Sequence, residues 1–439
     1  MNIRPMLLAL LLVLPMLGQA QSPAGGLLSG PMVGYSNMRE VMLWVQTNGP
    51  ANVQIAYNPV GSEDVFMTAP VRTNAEHAYT AHLLANSVRP GTDYEYRVLI
   101  NGAEIDRPYA TTFSTPPLWQ YRTDPPAMKI ALGSCTYIND EPYDRPGNPY
   151  GGGYEIFEEL HKESADMMLW LGDNTYLREA DWYSRTGIVH RYTHTRATAE
   201  MQALLASTAN YAIWDDHDFG PNNSDKSFVN KDLALEAFQD FWANPSYGMR
   251  EFAGTSSTFE WGDAQFFMLD NRYHRDPNRL TTAPRSILGE AQLEWFKHAL
   301  VSSNAKFKFV MIGCQVLNSV GKYENYEAIA PQEREEILDF IAKEGIRNVI
   351  FLTGDRHHSE MSKITRDGID IYDFTVSPLT SGSHNAEDEP NANRLEGSQY
   401  GERNYGIIEL SGERKNRTVI FRLKDVKGKE VYTYKIEGL

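Results

Sequence analysis

Two kinds of hydrophobic pattern divide the chain. From about residue 24 to 117, apolar and polar positions alternate in short runs, "VMLWVQT", "ANVQIAY", "AYTAHLL" and "DYEYRVLI", with "RPGTDY" and "NGAE" as turns between them. Alternation with period two marks strands that bury one face, and this spacing predicts a β-sandwich over 24–117. The Pro-rich "STPPLWQYRTDPPA" follows. Proline continues neither a ladder nor a helix, so 118–127 reads as a linker. Beyond it, short continuous apolar runs alternate with helical ones. Strands are predicted over 129–133, 167–171, 211–214, 265–269, 307–312, 349–353 and 369–375, and helices over 154–162, 198–206, 232–242, 289–300 and 332–343. This alternation predicts a layered α/β domain over 128–439, with two further strands, 418–423 and 431–436, closing a sheet edge.

Composition narrows the setting. Arg4, the apolar run from Met6 to Leu17 and the triplet Gly18-Gln19-Ala20 together form a signal-peptide pattern over 1–20, which predicts an exported protein, periplasmic or extracellular. No later run approaches the roughly 18 apolar residues a spanning helix needs, so no transmembrane anchor is expected. A 42% hydrophobic share with 11% aromatics suits a packed core. The formal charge of −16, without runs of Lys or Arg, argues against a nucleic-acid binder but leaves room for a small phosphorylated substrate, which needs only local cations. With Cys135 and Cys314 alone the chain is no disulfide scaffold; it holds either one bridge or two buried thiols.

The polar residues that follow the apolar runs carry the chemistry. "KIALGSC" ends in Cys135, "MMLWLGDNTY" in Asp173, Asn174 and Tyr176, "YAIWDDHD" in Asp216 and His217, and "NVIFLTGDRHH" in Asp355, His357 and His358. Ligands bind at the carboxyl ends of strands in open α/β sheets, so the four clusters can converge. Gly172 and Gly354 let the backbone turn tightly out of the sheet. Carboxylates and an amide suit calcium, magnesium or manganese, whereas thiolate, phenolate and imidazole suit iron or zinc; both kinds together point to a mixed site of two or more metals. Each motif alone has a plainer reading: "GDNTY" as a turn, "DDHD" as a helix N-cap or solvated turn, "GDRHH" as a surface loop, Cys135 as a small buried hydrophobe. Four such clusters after strands of one domain favour the metal site.

In order, the signal peptide, the small β-domain, "GSC", "GDNTY", "WDDHD" and "GDRHH" resemble the alkaline phosphatase D (PhoD-like) family of the calcineurin-like metallophosphatases, over nearly all of the chain. "RPGTDYEYRVLING" also resembles part of fibronectin-type and immunoglobulin-like domains. The resemblance implies a four-layer α/β/β/α sandwich carrying an N-terminal fibronectin/immunoglobulin-like β-sandwich. It implies two or more metal ions, iron plus calcium, with zinc, manganese or magnesium as alternatives. The implied activity is that of a phosphoric ester hydrolase acting on mono- and diesters, with a metal-activated hydroxide attacking phosphorus in line.

Carried over position by position, the resemblance makes Asp173 the bridge between metals, with Cys135, Tyr176 and His357 on the iron side. Asp216 stands where many members have the Asn of a "GNH" motif and faces the hard metal with Asp355. His217 contacts phosphate and protonates the leaving group. Asp215 and Asp218 orient backbone. Asn222 and Asn223 fall near the second metal or the substrate, and Arg272 of "LDNRY" either clamps phosphate, oriented by Asp270, or makes a surface salt bridge. Gln315 occupies a place where other members supply a His ligand; Cys314, one residue earlier, points the other way and is buried, which disfavours a bridge to Cys135. Arg178, Arg185, Arg191 and Arg196 with Trp182, Tyr183 and Tyr192 form either a substrate-binding insertion or a solvated helix. Two rival functions remain at this stage: a phospholipase or nuclease on the same centre, and a non-catalytic metal-binding adhesive module.

Overall fold

The continuous apolar runs of the second half become the interior strands of two six-stranded sheets. In the computed structural model, which describes residues 25–437, the first sheet runs Ala209–Ile213, Met167–Leu171, Met128–Gly133, Asn404–Ser411, Thr418–Asp425, Glu430–Ile436. Its first three strands are parallel and the rest antiparallel. The second runs Ser257–Trp261, Ala264–Met268, Phe307–Met311, Val349–Thr353, Ile369–Thr375, Glu360–Arg366, with four parallel strands flanked by an antiparallel one at each edge. Segment 1–20, expected as a signal peptide, lies outside the described residues.

Every residue of Met167–Leu171, Phe307–Met311 and Val349–Thr353 is buried. Strands covered on both faces need apolar side chains at every position, which is why these runs do not alternate. One set of faces, including Leu132, Leu169, Met268, Phe309, Leu352 and Phe374, packs sheet against sheet, and the Phe374 and Phe421 rings from the two sheets lie 4.8 Å apart. The opposite faces lie under helices. Met168, Trp170 and Ala212 pack with Ile156–Lys162, Arg185–Arg196, Gln202–Ser207 and Lys231–Phe241; Phe267, Val310 and Phe351 pack with Glu290–Ser302 and Pro331–Lys343. The layers are therefore α/β/β/α, and the tail strands Thr418–Asp425 and Glu430–Ile436 close one edge as expected.

The N-terminal strands form two small sheets, one of Leu27–Ser36, Val41–Thr47 and Thr80–Ala85 and one built around Asn52–Pro59 and Asp93–Ile100. This strand-rich unit is docked onto the α/β layers. The Trp44 indole donates to the Asp240 carbonyl at 2.7 Å, Gly30 N–H to the Gln202 side chain at 2.9 Å, and Tyr35 N–H to the Ala243 carbonyl at 2.8 Å. A Cβ at Gly34 would collide with Ala243.

Four elements depart from the periodicity reading. Ser257–Trp261 and Glu360–Arg366 are edge strands with mixed burial, so they lack a continuous apolar run. Asn404–Ser411 is interrupted by Gly406. The segment expected as one helix over 198–206 is a 3-10 turn, Ala199–Met201, leading into the helix Gln202–Ser207.

Candidate metal centre

The chain leaves the sheets abruptly where the polar clusters stand. Cys135, Asp173, Asp355 and His357 have φ of 60°, 53°, 69° and 56°, the left-handed region that costs a non-glycine residue about 1 kcal/mol or more and clusters at functional sites. Gly172 takes φ 97°, as a tight turn requires. Gly354 does not take a positive φ. Its lack of a side chain provides space instead, because a Cβ there would lie 2.6 Å from the Ser134 Cβ.

These turns bring together donors far apart in sequence. One ligand atom each of Cys135, Asp173 and His357 lie within 4.8 Å of one another, and so do those of Asp173, Asp216 and His217 and those of Asp215, Asp216 and Asp355. Asp173 belongs to the first two groups and Asp216 to the last two. Tyr176 Oη lies 3.1 Å from His357 Nε2, and the Tyr176 ring stacks on His217 at 4.3 Å. The Ser377 hydroxyl donates to Cys135 Sγ at 3.2 Å, His217 N–H to Asp173 at 3.2 Å and Asn223 N–H to Asp216 at 2.6 Å.

Burial and mutual repulsion dominate the electrostatics. Burial, then the charges of Asp216, Asp215, Asp218 and Asp355, push the Asp173 carboxyl far above the usual range. Asp355 is pushed the same way by burial and by Asp215. Burial also raises the Cys135 thiol and the Tyr176 phenol, with Asp173 adding to both. For Asp216, burial is outweighed by His217, Arg272 and the Asn223 N–H, which hold it below the carboxylate range. His357 is lowered to about 4, chiefly by burial, and is therefore neutral near pH 7 and able to ligate.

So dense a set of buried carboxylates calls for cations. Asp215 Oδ2, Asp216 Oδ1, Asn174 Oδ1 and His217 Nδ1 are buried and lack a hydrogen-bond partner. The donors fit a mixed centre: thiol, phenol and imidazole on one side, carboxylates on the other.

"DDHD" is an N-cap and part of the cluster at once. Asp215 caps the short helix Asp216–Phe219 in a capping box with Asp218, and Asp218 also accepts from Asn174 and Thr175 N–H at 3.2 and 2.9 Å. The Asn174 amide donates to the Ile213 carbonyl at 2.7 Å. Asn222 and Asn223 line a cavity with Asp355 and His357.

Several expected roles meet different surroundings. Arg272 is neither a surface salt bridge nor free to clamp phosphate. It is fully buried, with Nε on Asp215, Nη2 2.7 Å from Glu324 and Nη1 3.2 Å from the Ser224 carbonyl. Asp270 accepts from Thr255, Arg272 and Tyr273 N–H and so shapes this turn. Gln315 is buried with its amide engaged by Glu360, Thr375 and Arg356. His358 belongs to none of these groups of ligand atoms, and its Nδ1 lies 3.0 Å from the Arg356 carbonyl. Cys135 and Cys314 are both free and buried. Arg191 and Arg196 are not solvated: Arg191 pairs with buried Asp181 at 2.9 Å, and Arg196 stacks 4.0 Å over Trp242.

Three residues at the centre had no sequence signal of their own. Tyr150 Oη lies 3.0 Å from His357 Nδ1, Ser377 contacts Cys135, and Glu324 holds Arg272 and Arg275. All three come from loops. Tyr150 precedes three glycines in "NPYGGGY", a loop pattern that does not by itself mark a functional residue; Ser377 and Glu324 lack even that.

A profile described as PhoD-like phosphatase matches residues 130–414, and one described as a domain of unknown function (DUF7800) matches residues 24–118. The chain is 24% identical over 382 residues to alkaline phosphatase D of Bacillus subtilis (strain 168), a match covering 72% of this chain and 61% of that protein. A solved structure of PhoD superposes with a TM-score of 0.76 at 18% identity, covering 95% of this chain and 94% of that one. Purple acid phosphatase PPD1 from yellow lupin (Lupinus luteus) superposes with a TM-score of 0.67 at 12% identity, covering 93% and 74%. With its α/β/β/α layers and its cluster of candidate ligands at the strand ends, the chain belongs to the PhoD-like phosphatase family.

Proposed function

We propose that this protein is an exported, metal-dependent phosphoesterase that hydrolyses phosphate esters. The observation that carries this reading is the convergence of Cys135, Asp173, Asp216, His217, Asp355 and His357 into overlapping groups of ligand atoms, in a chain of the PhoD-like phosphatase family. Cys135, Tyr176 and His357 would hold one ion, iron in the preferred assignment, and Asp216 and Asp355 a harder one, calcium, with Asp173 shared between them. When bound, such ions supply Lewis acidity toward phosphoryl oxygens and lower the pKa of water to near neutrality.

The chain's own groups do the rest. Water is the nucleophile, so no Ser or Cys is modified covalently. Burial lowers the His217 pKa while Asp216 opposes that effect, and its imidazole, stacked on Tyr176 at the edge of the cluster, would exchange a proton with the departing oxygen. The Asp173 carboxylate accepts from the His217 backbone N–H and fixes that residue's position. Asn222 and Asn223 contact substrate from the cavity wall. Arg272 holds Asp215 and Glu324 in place beneath the cluster and does not touch substrate. The organisation that accompanies this reading is a signal peptide over 1–20, a β-sandwich domain over 24–117, a linker over 118–127 and a catalytic domain over 128–439.

The test is turnover of a chromogenic phosphoester by purified protein, with Asp173→Ala as control. Activity that disappears in the variant supports the phosphoesterase; a folded, metal-loaded wild type that hydrolyses nothing would make the protein a binder. Assaying a monoester, a bis-ester, a phospholipid and a short DNA in parallel separates the phospholipase and nuclease alternatives.

A further inference from the structure

Tyr323 is out of place by ordinary packing rules. It is 62% exposed, yet its backbone sits at φ 55°, a conformation a bulky side chain rarely adopts. Something must hold it there, and two contacts do. Its ring lies 4.8 Å from the guanidinium carbon of Arg356. That arginine is buried and fixed in turn by Gln315 at 2.7 Å and Glu389 at 2.6 Å. The next residue, Glu324, is tied to Arg272 and Arg275 at 2.7 and 2.9 Å. One face of the ring is therefore backed by a fixed cation while much of the ring stays open. The His384 ring stands edge-on to it, 6.4 Å between centroids.

The open side borders the candidate metal centre. Tyr323 and His384 line a cavity of about 340 Å³ together with Asn222, Asn223, Asp355 and His357. A phosphate ester whose phosphorus sits at Asp355 and His357 would place its alcohol group against Tyr323. An aromatic face backed by a guanidinium favours a flat π-system over a saturated chain. Arg356, the arginine among the lining residues, is already engaged with Glu389, so it is not free to pair with a further phosphate.

Resting on the phosphoesterase reading, we infer that Tyr323 with His384 is a stacking platform that selects phosphate esters of planar, uncharged groups, aryl or nucleobase-bearing, over esters of aliphatic alcohols and over polyphosphates. The experiment compares KM and kcat of the full-length, metal-loaded enzyme on p-nitrophenyl phosphate, adenosine 5′-monophosphate and glycerol 2-phosphate. Tyr323→Ala raises KM for the two planar esters about tenfold, equivalent to ~1.4 kcal/mol and within the range of base-on-aromatic stacking. It leaves the glycerol ester and the metal content within about twofold of wild type, and Tyr323→Phe behaves as wild type. A larger effect on one planar ester than the other identifies the aryl or the nucleobase source. Equal losses on all three esters, or no loss on either planar one, overturn the inference. If the wild type turns over none of them, the phosphoesterase reading fails separately. Calorimetric binding of adenosine 5′-monophosphate then decides the platform: about tenfold weaker binding to Tyr323→Ala supports it, and equal binding overturns it.

Discussion

Arg272 illustrates how the acidic centre is balanced by protein as well as by ions. Its guanidinium joins Asp215 and Glu324, both buried. Arg272→Met would leave buried Asp215 without its cation, with the Asn271 amide as its remaining side-chain donor, and Glu324 with Arg275 as its remaining cation; the expected cost is about 3–5 kcal/mol, read by denaturant unfolding, whereas a substrate clamp would instead raise KM with little change in stability. Tyr150 is the complementary case. Its phenol contacts the outer nitrogen of His357, so Tyr150→Phe should weaken metal affinity by about 10–100-fold, measured by competition with a chelator, while the thermal midpoint of the metal-free protein stays close to wild type. Proton linkage follows from the same carboxylates. Burial raises Asp218 from 3.8 to about 8, and Asp173 and Asp355 are raised well above 3.8. The folded chain thus binds more protons than the unfolded one across that interval. For chelated protein, the Asp218 contribution is fully present below about pH 4 and is lost as pH rises through about 8, and those of Asp173 and Asp355 have the same sign. Metal binding requires the deprotonated forms, so its stabilising effect grows over the same interval. Thermal midpoints against pH, with and without chelator, should diverge toward pH 8; parallel curves would contradict this.

At the scale of elements, buried strands were legible as largely apolar runs, and all seven runs expected as strands between 129 and 375 became strands. The ligands were legible because each stands just beyond such a run, where the sheet ends and the backbone turns. Edge strands such as Glu360–Arg366 were hidden because burial is partial beyond the first three residues and polar side chains break up the apolar run. Tyr150, Ser377 and Glu324 were hidden because loops carry no periodicity and tertiary packing alone brings them to the centre. The partners of Arg272 were illegible for a related reason: Asp215 is 57 residues away in the chain, and nothing local signals the pairing. Gly172 ties turn to site directly. A Cβ there would sit 2.8 Å from the Asp215 Cβ at a φ of 97°. Gly172→Ala should therefore cost about 1–3 kcal/mol from backbone strain and reduce bound metal, as unfolding curves and elemental analysis of the same preparation would show.

For the whole molecule, the layered fold followed from alternating strand and helix signals, whereas the seating of the N-terminal strands did not. That seating depends on Trp44, fully buried between the two parts, with its indole on the Asp240 carbonyl and the Arg196 guanidinium over its ring at 5.7 Å. Trp44→Ala should lower stability by about 3–5 kcal/mol, measured by unfolding, while KM on small phosphoesters stays unchanged, because Trp44 lies among the helix-side core residues and not at the strand ends that carry the ligands.

All these scales meet in the claim that buried carboxylates, a thiol, a phenol and imidazoles converge in order to hold metal. Elemental analysis of protein purified without chelator tests it most directly. Two or more ions per chain are expected, iron and calcium among them, with fewer in Asp173→Ala because that carboxylate is shared between the groups. A folded wild type that carries no metal, or an Asp173→Ala variant that carries as much as wild type, would contradict it.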